Sequence, residues 1–132
     1  MDIRVDELRS PKVLELRFSG RVDARFIDDL ISDVLAEDSG RPRHWLVDTT
    51  TASVDFASGE LAALAARIAQ SCTRQRRYRI NVVATEPRNF GCMRMLAAHL
   101  DGSNIAIAVY EDRQEALDDL ADPADSVQAT GR

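Results

Sequence analysis

The sequence predicts a single α/β domain built on a mixed five-stranded sheet with helices mainly on one face. Five short segments alternate bulky apolar residues with polar or small ones, as strands do. Four other segments repeat apolar residues every three or four positions, which is typical of amphipathic helices. Because strands covered by helices on both faces are usually apolar throughout, the alternation predicts one covered face and one open face.

The first two predicted strands form an antiparallel hairpin. Residues 3–8 and 13–18 alternate apolar and polar side chains, and Ser10, Pro11 and Lys12 between them form a turn sequence. The hairpin supplies the antiparallel part of the mixed sheet.

The rest of the chain alternates helix and strand, giving the order β-β-α-β-α-β-α-β-α. The predicted helices cover residues 24–36, 60–74, 90–100 and 113–120, and the predicted strands cover residues 44–48, 78–84 and 105–110. Asp23 is the expected cap of the first helix, and Asp112 with Glu115 fits a capping box at the last. Right-handed crossovers that add parallel strands in one direction place their helices on one face of the sheet.

The composition sets limits on domain number and on function. We expect one domain over residues 1–120 and a flexible tail over residues 121–132, where the chain becomes small, polar and proline-marked. A net charge of −5 argues against non-specific nucleic-acid binding. The longest apolar runs are six residues, too short for a membrane span, and the first four residues do not open a secretory signal. We therefore expect a cytoplasmic protein.

No pattern in the chain indicates a metal, a cofactor or a catalytic group of the usual kinds. Cys72 and Cys92 each fall in a helical apolar pattern, which favours two reduced, buried thiols over a disulfide. His44 and His99 belong to different elements, and no glycine-rich phosphate loop or nucleophile elbow is present.

The second face of the predicted sheet mixes polar, small and apolar residues. It is too mixed for a core and too apolar in places for ordinary surface, so we expect a second subunit of a homodimer or a flat ligand to cover it. Its expected members are Glu15, Arg17, Asn81, Val83, Ala106, Ala108 and Tyr110.

The element order and three local sequences carry a resemblance to a known family. The sequences are WLVD at residues 45–48, NFGCMRM at 89–95 and YEDRQEAL at 110–117. Together they resemble the STAS-like domains typified by the sporulation stage II anti-sigma-factor antagonist, and the last is similar to the ending of a branch of small bacterial proteins in that superfamily. The resemblance extends over about residues 3–120.

This resemblance implies a non-enzymatic regulatory domain that binds a partner protein. In the regulatory branch, a serine in an Asp-Ser-Ser-Gly string at the start of the second helix is phosphorylated, and the added charge breaks the partner complex. Ser58 and Gly59 match that string, whereas Phe56 and Ala57 replace its aspartate and first serine. Ser58 is therefore a candidate phosphorylation site, and the alternative is that Ser58 or Asp55 simply caps the helix.

Loops at the carboxyl ends of the parallel strands form the expected binding site. In α/β proteins, this edge of the sheet is where ligands usually bind. Side chains there suit hydrogen bonding to a polar ligand or a partner better than proton transfer, since they include no histidine. The candidates are Asp48, Thr49, Thr50, Asp55, Ser58, Gly59, Arg88 and Asn89.

Two further functions stay open. The alanine-rich second face is compatible with a carrier for a small apolar or amphipathic ligand. An enzyme using Cys92 is the other: if a helix begins at Phe90 or Gly91, the thiol lies in the first turn, where the helix dipole lowers its pKa. The competing interpretation is a packed, inert cysteine, because Met93, Leu96 and Ala97 mark a buried face nearby.

Overall fold

The architecture follows the predicted order of elements. A computed structural model describes residues 2–9, 12–36, 44–71, 78–103 and 105–121. Residues 122–132 and Cys72 lie outside the described residues, so the proposed tail and the state of Cys72 stay predictions. The elements are β1 (Asp2–Arg9), β2 (Lys12–Val22), α1 (Ala24–Ala36), β3 (His44–Val54), α2 (Ser58–Ser71), β4 (Tyr78–Val83), α3 (Pro87–His99), β5 (Ile105–Tyr110) and α4 (Arg113–Leu120).

The sheet adds its strands in sequence, β1-β2-β3-β4-β5, so β1 and β5 are its edges. β1 pairs antiparallel with β2, and all the other pairs are parallel. In the parallel part, Leu14 pairs with Trp45 and Trp45 pairs with Ile80. The mixed five-stranded sheet predicted from the sequence is confirmed.

The ends of β2 and β3 and the start of α3 differ from the predicted boundaries by three residues or more. β2 ends at Val22 rather than Phe18, and the other two differences affect the candidate site. β3 continues beyond Asp48 to Val54, because residues 51–54 pair with residues 19–22 of β2 after an irregularity in the register. The β-branched Thr51 also donates its hydroxyl to the Phe18 carbonyl at 3.0 Å. α3 begins at Pro87, where proline is favourable because its φ is pre-set and its missing N–H has no helical partner.

The main core lies between the sheet and the layer formed by α1, α2 and α3. Side chains from one face of each strand contribute to it, including Leu16, Trp45 and Ile80, and all three are buried. Leu64 of α2 and Leu96 of α3 pack against them from the helical side. Three of the four helices thus cover one face, as the alternation in the strands predicts.

α4 packs on the opposite face, so the prediction of an uncovered second face is wrong over β2, β3 and β4. A second apolar cluster joins the sheet to this helix, and its buried members are Val13, Leu46, Val83, Ala116 and Leu120. α4 follows the last strand and is not a crossover, so the handedness rule that places the other helices does not fix its face. Over β5, this face keeps the exposed Ala106 and the half-buried Ala108.

Buried polar side chains also attach α4 to the sheet. Glu15 is 3% exposed, and its Oε2 accepts from Arg113 Nη2 at 2.9 Å and from Arg17 Nε at 3.4 Å. Asn81 is fully buried and donates to the Ala116 carbonyl at 2.9 Å. The sequence contained a signal for this attachment. Glu15 and Asn81 are polar residues on the second face of the strands, and the last helix carries Arg113 and several acidic residues.

A second charged group lies at the β4–α4 contact. Asp119 Oδ2 accepts from Arg79 Nη2 at 2.6 Å and from Asn81 Nδ2 at 3.0 Å. Burial alone would raise the pKa of Asp119, but hydrogen bonds from Asn81, Arg79 and Tyr110 outweigh it and leave that pKa below its usual value. Burial and the neighbouring Asp119 raise the pKa of the Tyr110 phenol. α4 is therefore held by charged contacts as well as by apolar packing.

Candidate functional site

Asn89 joins α3 to β3 at the carboxyl edge of the sheet. It is fully buried in the first turn of α3, and its Oδ1 accepts from the Val54 backbone N–H at 2.9 Å. Its Nδ2 donates to the Thr49 carbonyl at 3.2 Å and to the Ala52 carbonyl at 2.9 Å. One amide thus fixes the end of β3 against α3, and its described hydrogen bonds all go to backbone.

All three candidates at residues 48–50 make hydrogen bonds within the protein, and two of them are buried. Thr49 is 1% exposed and donates its hydroxyl to the Val83 carbonyl at 2.8 Å. Asp48 is buried, and its Oδ1 accepts from the backbone N–H of Thr50 at 2.9 Å and from the Thr50 hydroxyl at 2.7 Å. Thr50 is exposed. Asp48, Thr49 and Asn89 therefore position the backbone around this edge.

The exposed candidates surround the N-terminus of α2. Asp55, Gly59 and Arg88 are exposed, and Asp55 Oδ2 accepts from Arg21 Nη2 at 3.1 Å. Because Asn89 ties α3 to the end of β3, Arg88 lies at the same edge of the sheet. We call Asp55, Ala57, Gly59, Glu60 and Arg88 the α2 N-terminal surface.

The cap of α2 differs from both predicted possibilities. The helix begins at Ser58, and the Leu61 N–H donates to the Ala57 carbonyl at 3.1 Å, so Ala57 occupies the N-cap position. Glu60 supplies half of a capping box, since its Oε1 accepts from the Ala57 N–H at 2.9 Å. Ala57 has no side-chain oxygen to accept from the amides of the first turn. Ser58 is thus the first helical residue rather than the cap.

Cys92 lies deeper than the predicted helix start implies. It is 9% exposed and, because α3 begins at Pro87, it lies in the second turn rather than the first. Burial is the largest influence and raises the pKa of its thiol. The hydrogen bond with the Phe56 backbone lowers that pKa by less, and the nearby Asp55 carboxylate raises it slightly. A thiol with a raised pKa has less of the reactive thiolate at neutral pH.

We expect Cys92 in the folded protein to react with iodoacetamide at least ten-fold more slowly than the same thiol in urea, because it is buried and its pKa is raised. The measurement is a time course of mass increase in a Cys72→Ser variant, which leaves Cys92 as the sole thiol. Alkylation at equal rates in the folded and unfolded protein would contradict the expectation and revive a role for Cys92 in catalysis.

A cavity of about 80 Å³ lies inside the main core, between the sheet and the three-helix layer. We call it the core cavity. Strand residues form its floor, among them Trp45, Thr49 and Val82, and α1, α2, α3 and Phe56 form its roof. No pattern in the sequence indicates the core cavity, because it depends on how side chains from seven elements meet.

The described part of the chain offers no metal site: no three His, Cys, Asp or Glu side chains there group as ligands would. No described helix combines the length and the apolar character needed to cross a membrane.

Solved structures resemble this chain in fold, whereas comparison by sequence finds no match. No protein-family model matches the chain, and no curated protein matches it. An uncharacterised protein of the DUF3478 family with a SpoIIAA-like fold, from Shewanella loihica, matches with a TM-score of 0.59 and 13% identity, covering 90% of this chain and 92% of that one. An anti-sigma factor antagonist from Mycobacterium paratuberculosis matches with a TM-score of 0.58 and 19% identity over 92% and 94% of the two chains.

The anti-sigma factor antagonist SpoIIAA in its unphosphorylated form also matches, with a TM-score of 0.51 and 12% identity over 90% of this chain and 97% of that one. All three similarities extend over nearly the full length of both chains. The chain therefore has the STAS-like fold, which confirms the resemblance seen in its sequence.

Proposed function

We propose that this chain, with its STAS-like fold, is a non-enzymatic regulatory module of the bacterial cytoplasm that binds a partner protein through the α2 N-terminal surface. The anti-sigma factor antagonists with which it shares its fold support a regulatory role. The location of the proposed partner site rests on the exposure of the first turn of α2. Gly59 and Glu60, which directly follow Ser58, are both exposed. Residues around this turn are exposed, whereas other polar candidates at the same edge are buried.

The side chains at this edge favour binding over catalysis. Asp48, Thr49 and Asn89 make hydrogen bonds within the protein, so their role is to hold the backbone in place at this edge of the sheet. Cys92 is buried with a raised pKa. The groups left exposed are charged side chains and backbone, which suit recognition of a surface.

A charge change at Ser58 is the proposed control of binding. A phosphate adds about −1.5 to −2 charges at neutral pH and is favoured near a helix N-terminus by the helix dipole. The first turn of α2 already carries Glu60, and Asp55 lies just before it. Phosphorylation would therefore give this surface a net negative charge, even though it includes Arg88 and Asp55 pairs with Arg21. A partner that binds the unmodified surface would then be released.

We expect Ser58→Asp to weaken partner binding at least ten-fold without changing the fold, because it adds negative charge at the proposed contact. The partner is first isolated from the native bacterium with the unmodified protein, and its affinity for each variant is then measured by calorimetry. Ala66→Asp adds the same charge at an exposed site farther along α2 and should bind normally. Equal affinities of Ser58→Asp and the unmodified protein, with matching circular dichroism, would refute the phosphorylation switch.

A homodimer through the remaining open part of the second sheet face, at Ala106 and Ala108, stays a second proposal about partners. The dimer interface would be smaller than one over the whole second face, because α4 covers the rest of that face.

A further inference from the structure

We propose that the core cavity is a binding site for a small apolar group, either a free aromatic or aliphatic molecule or the short alkyl end of an amphiphile. This inference does not rest on the proposed function, although the groove next to the cavity shares Glu60 with the α2 N-terminal surface. It also moves the ligand site from the alanine-rich second face, where the strand pattern had suggested it, to the interior of the main core.

The walls of the cavity determine the chemistry of its occupant. Apart from Thr49, every described residue lining the cavity is apolar. The Thr49 hydroxyl already donates to the Val83 carbonyl at 2.8 Å, so its proton is committed within the protein. A buried water typically needs two to four polar partners, and these walls do not supply them. The cavity therefore favours an apolar occupant over water.

Without movement of its walls, the cavity has room for only part of a six-carbon ligand. A volume of about 80 Å³ is several times the roughly 10–15 Å³ needed for one water molecule. It is also about half of an engineered apolar cavity of roughly 150 Å³ that binds benzene. Small shifts of the helical roof, where Ile27 and Leu30 of α1 are only partly buried, would add the remaining space.

The same partly buried residues indicate how a ligand enters. Phe56, which precedes α2, is also partly exposed and lines the cavity. A polar groove between α1 and α2, with Arg25 and Glu60 in its walls, shares Leu64 with the cavity. An amphiphile would thus place its alkyl end in the cavity and its polar head in this groove, whereas a free hydrocarbon would fill the cavity alone.

The test uses Trp45, which is the sole tryptophan of the chain and lines the cavity at 6% exposure. Bromobenzene is titrated into the protein, because its heavy atom quenches the fluorescence of a tryptophan that it contacts. We expect saturable quenching, and we expect benzene to compete with it. Titration with hexanol then separates the two sources: tighter binding than benzene indicates an amphiphile, and weaker binding indicates a free hydrocarbon.

A cavity-filling variant distinguishes the cavity from other binding positions. Val82→Met adds one heavy atom and a longer side chain that extends into the cavity, and it should weaken bromobenzene binding at least ten-fold, while Val5→Met, at an exposed position on β1, should leave it unchanged. Val47→Met fills the cavity from β3 if the first variant does not fold. Quenching that rises linearly without saturation, or that is the same in the filled and control variants, would overturn the proposal.

Discussion

Replacing Asn89 with alanine is expected to lower the free energy of unfolding by about 3 kcal/mol or more. The change removes three hydrogen bonds and leaves the Val54 N–H and the Thr49 and Ala52 carbonyls without that partner. Each buried backbone group left unsatisfied costs about 1–3 kcal/mol. Urea denaturation followed by circular dichroism measures the loss.

Asn89→Asp tests the two bonds that the amide donates, because it keeps the size of the side chain and one acceptor for the Val54 N–H. The new carboxylate oxygen would face the Thr49 and Ala52 carbonyls, so we expect a loss at least as large as with alanine. Arg88→Ala, at the exposed neighbouring position, is the matched control and should change stability by less than about 0.5 kcal/mol. A loss below about 1 kcal/mol for Asn89→Ala would show that the amide does not hold β3 to α3.

Replacing Arg113 with methionine is expected to lower the free energy of unfolding by about 1–3 kcal/mol. Glu15 is 3% exposed, and without Arg113 it would keep only the 3.4 Å contact with Arg17. Breaking a fully buried ion pair costs about 3–5 kcal/mol, and the smaller range applies because Arg113 is itself 36% exposed and partly screened by solvent.

A double-mutant cycle separates the ion pair from the packing of α4. Once Glu15→Met has removed the buried carboxylate, Arg113→Met should cost much less than it does alone, and the difference measures the interaction between the two groups. Gln114→Met, at an exposed position of the same helix, serves as the control. Equal costs of Arg113→Met with and without Glu15 would mean that this pair does not attach α4 to the sheet.

The sequence could predict the role of a residue only where its hydrogen-bond partner lies close to it along the chain. Asp23 and Asp112 cap helices within three residues of themselves, so the local sequence was sufficient to predict both. The roles of Thr49 and Asn89 were not predictable in this way, because their partners lie 34 to 40 residues away along the chain. A polar side chain near a strand end has the same sequence pattern whether it binds a ligand or a distant carbonyl.

The sequence by itself determined the identity and order of the strands and helices and the apolar face of each strand, because periodicity and capping act over a few residues. It also predicted the STAS-like fold, which the solved structures confirm. The tertiary structure alone decided which face α4 covers, how far β3 extends, how deeply Cys92 is buried and where the core cavity lies. These features depend on packing between distant segments, where burial of apolar side chains and pairing of buried polar groups act across the whole fold.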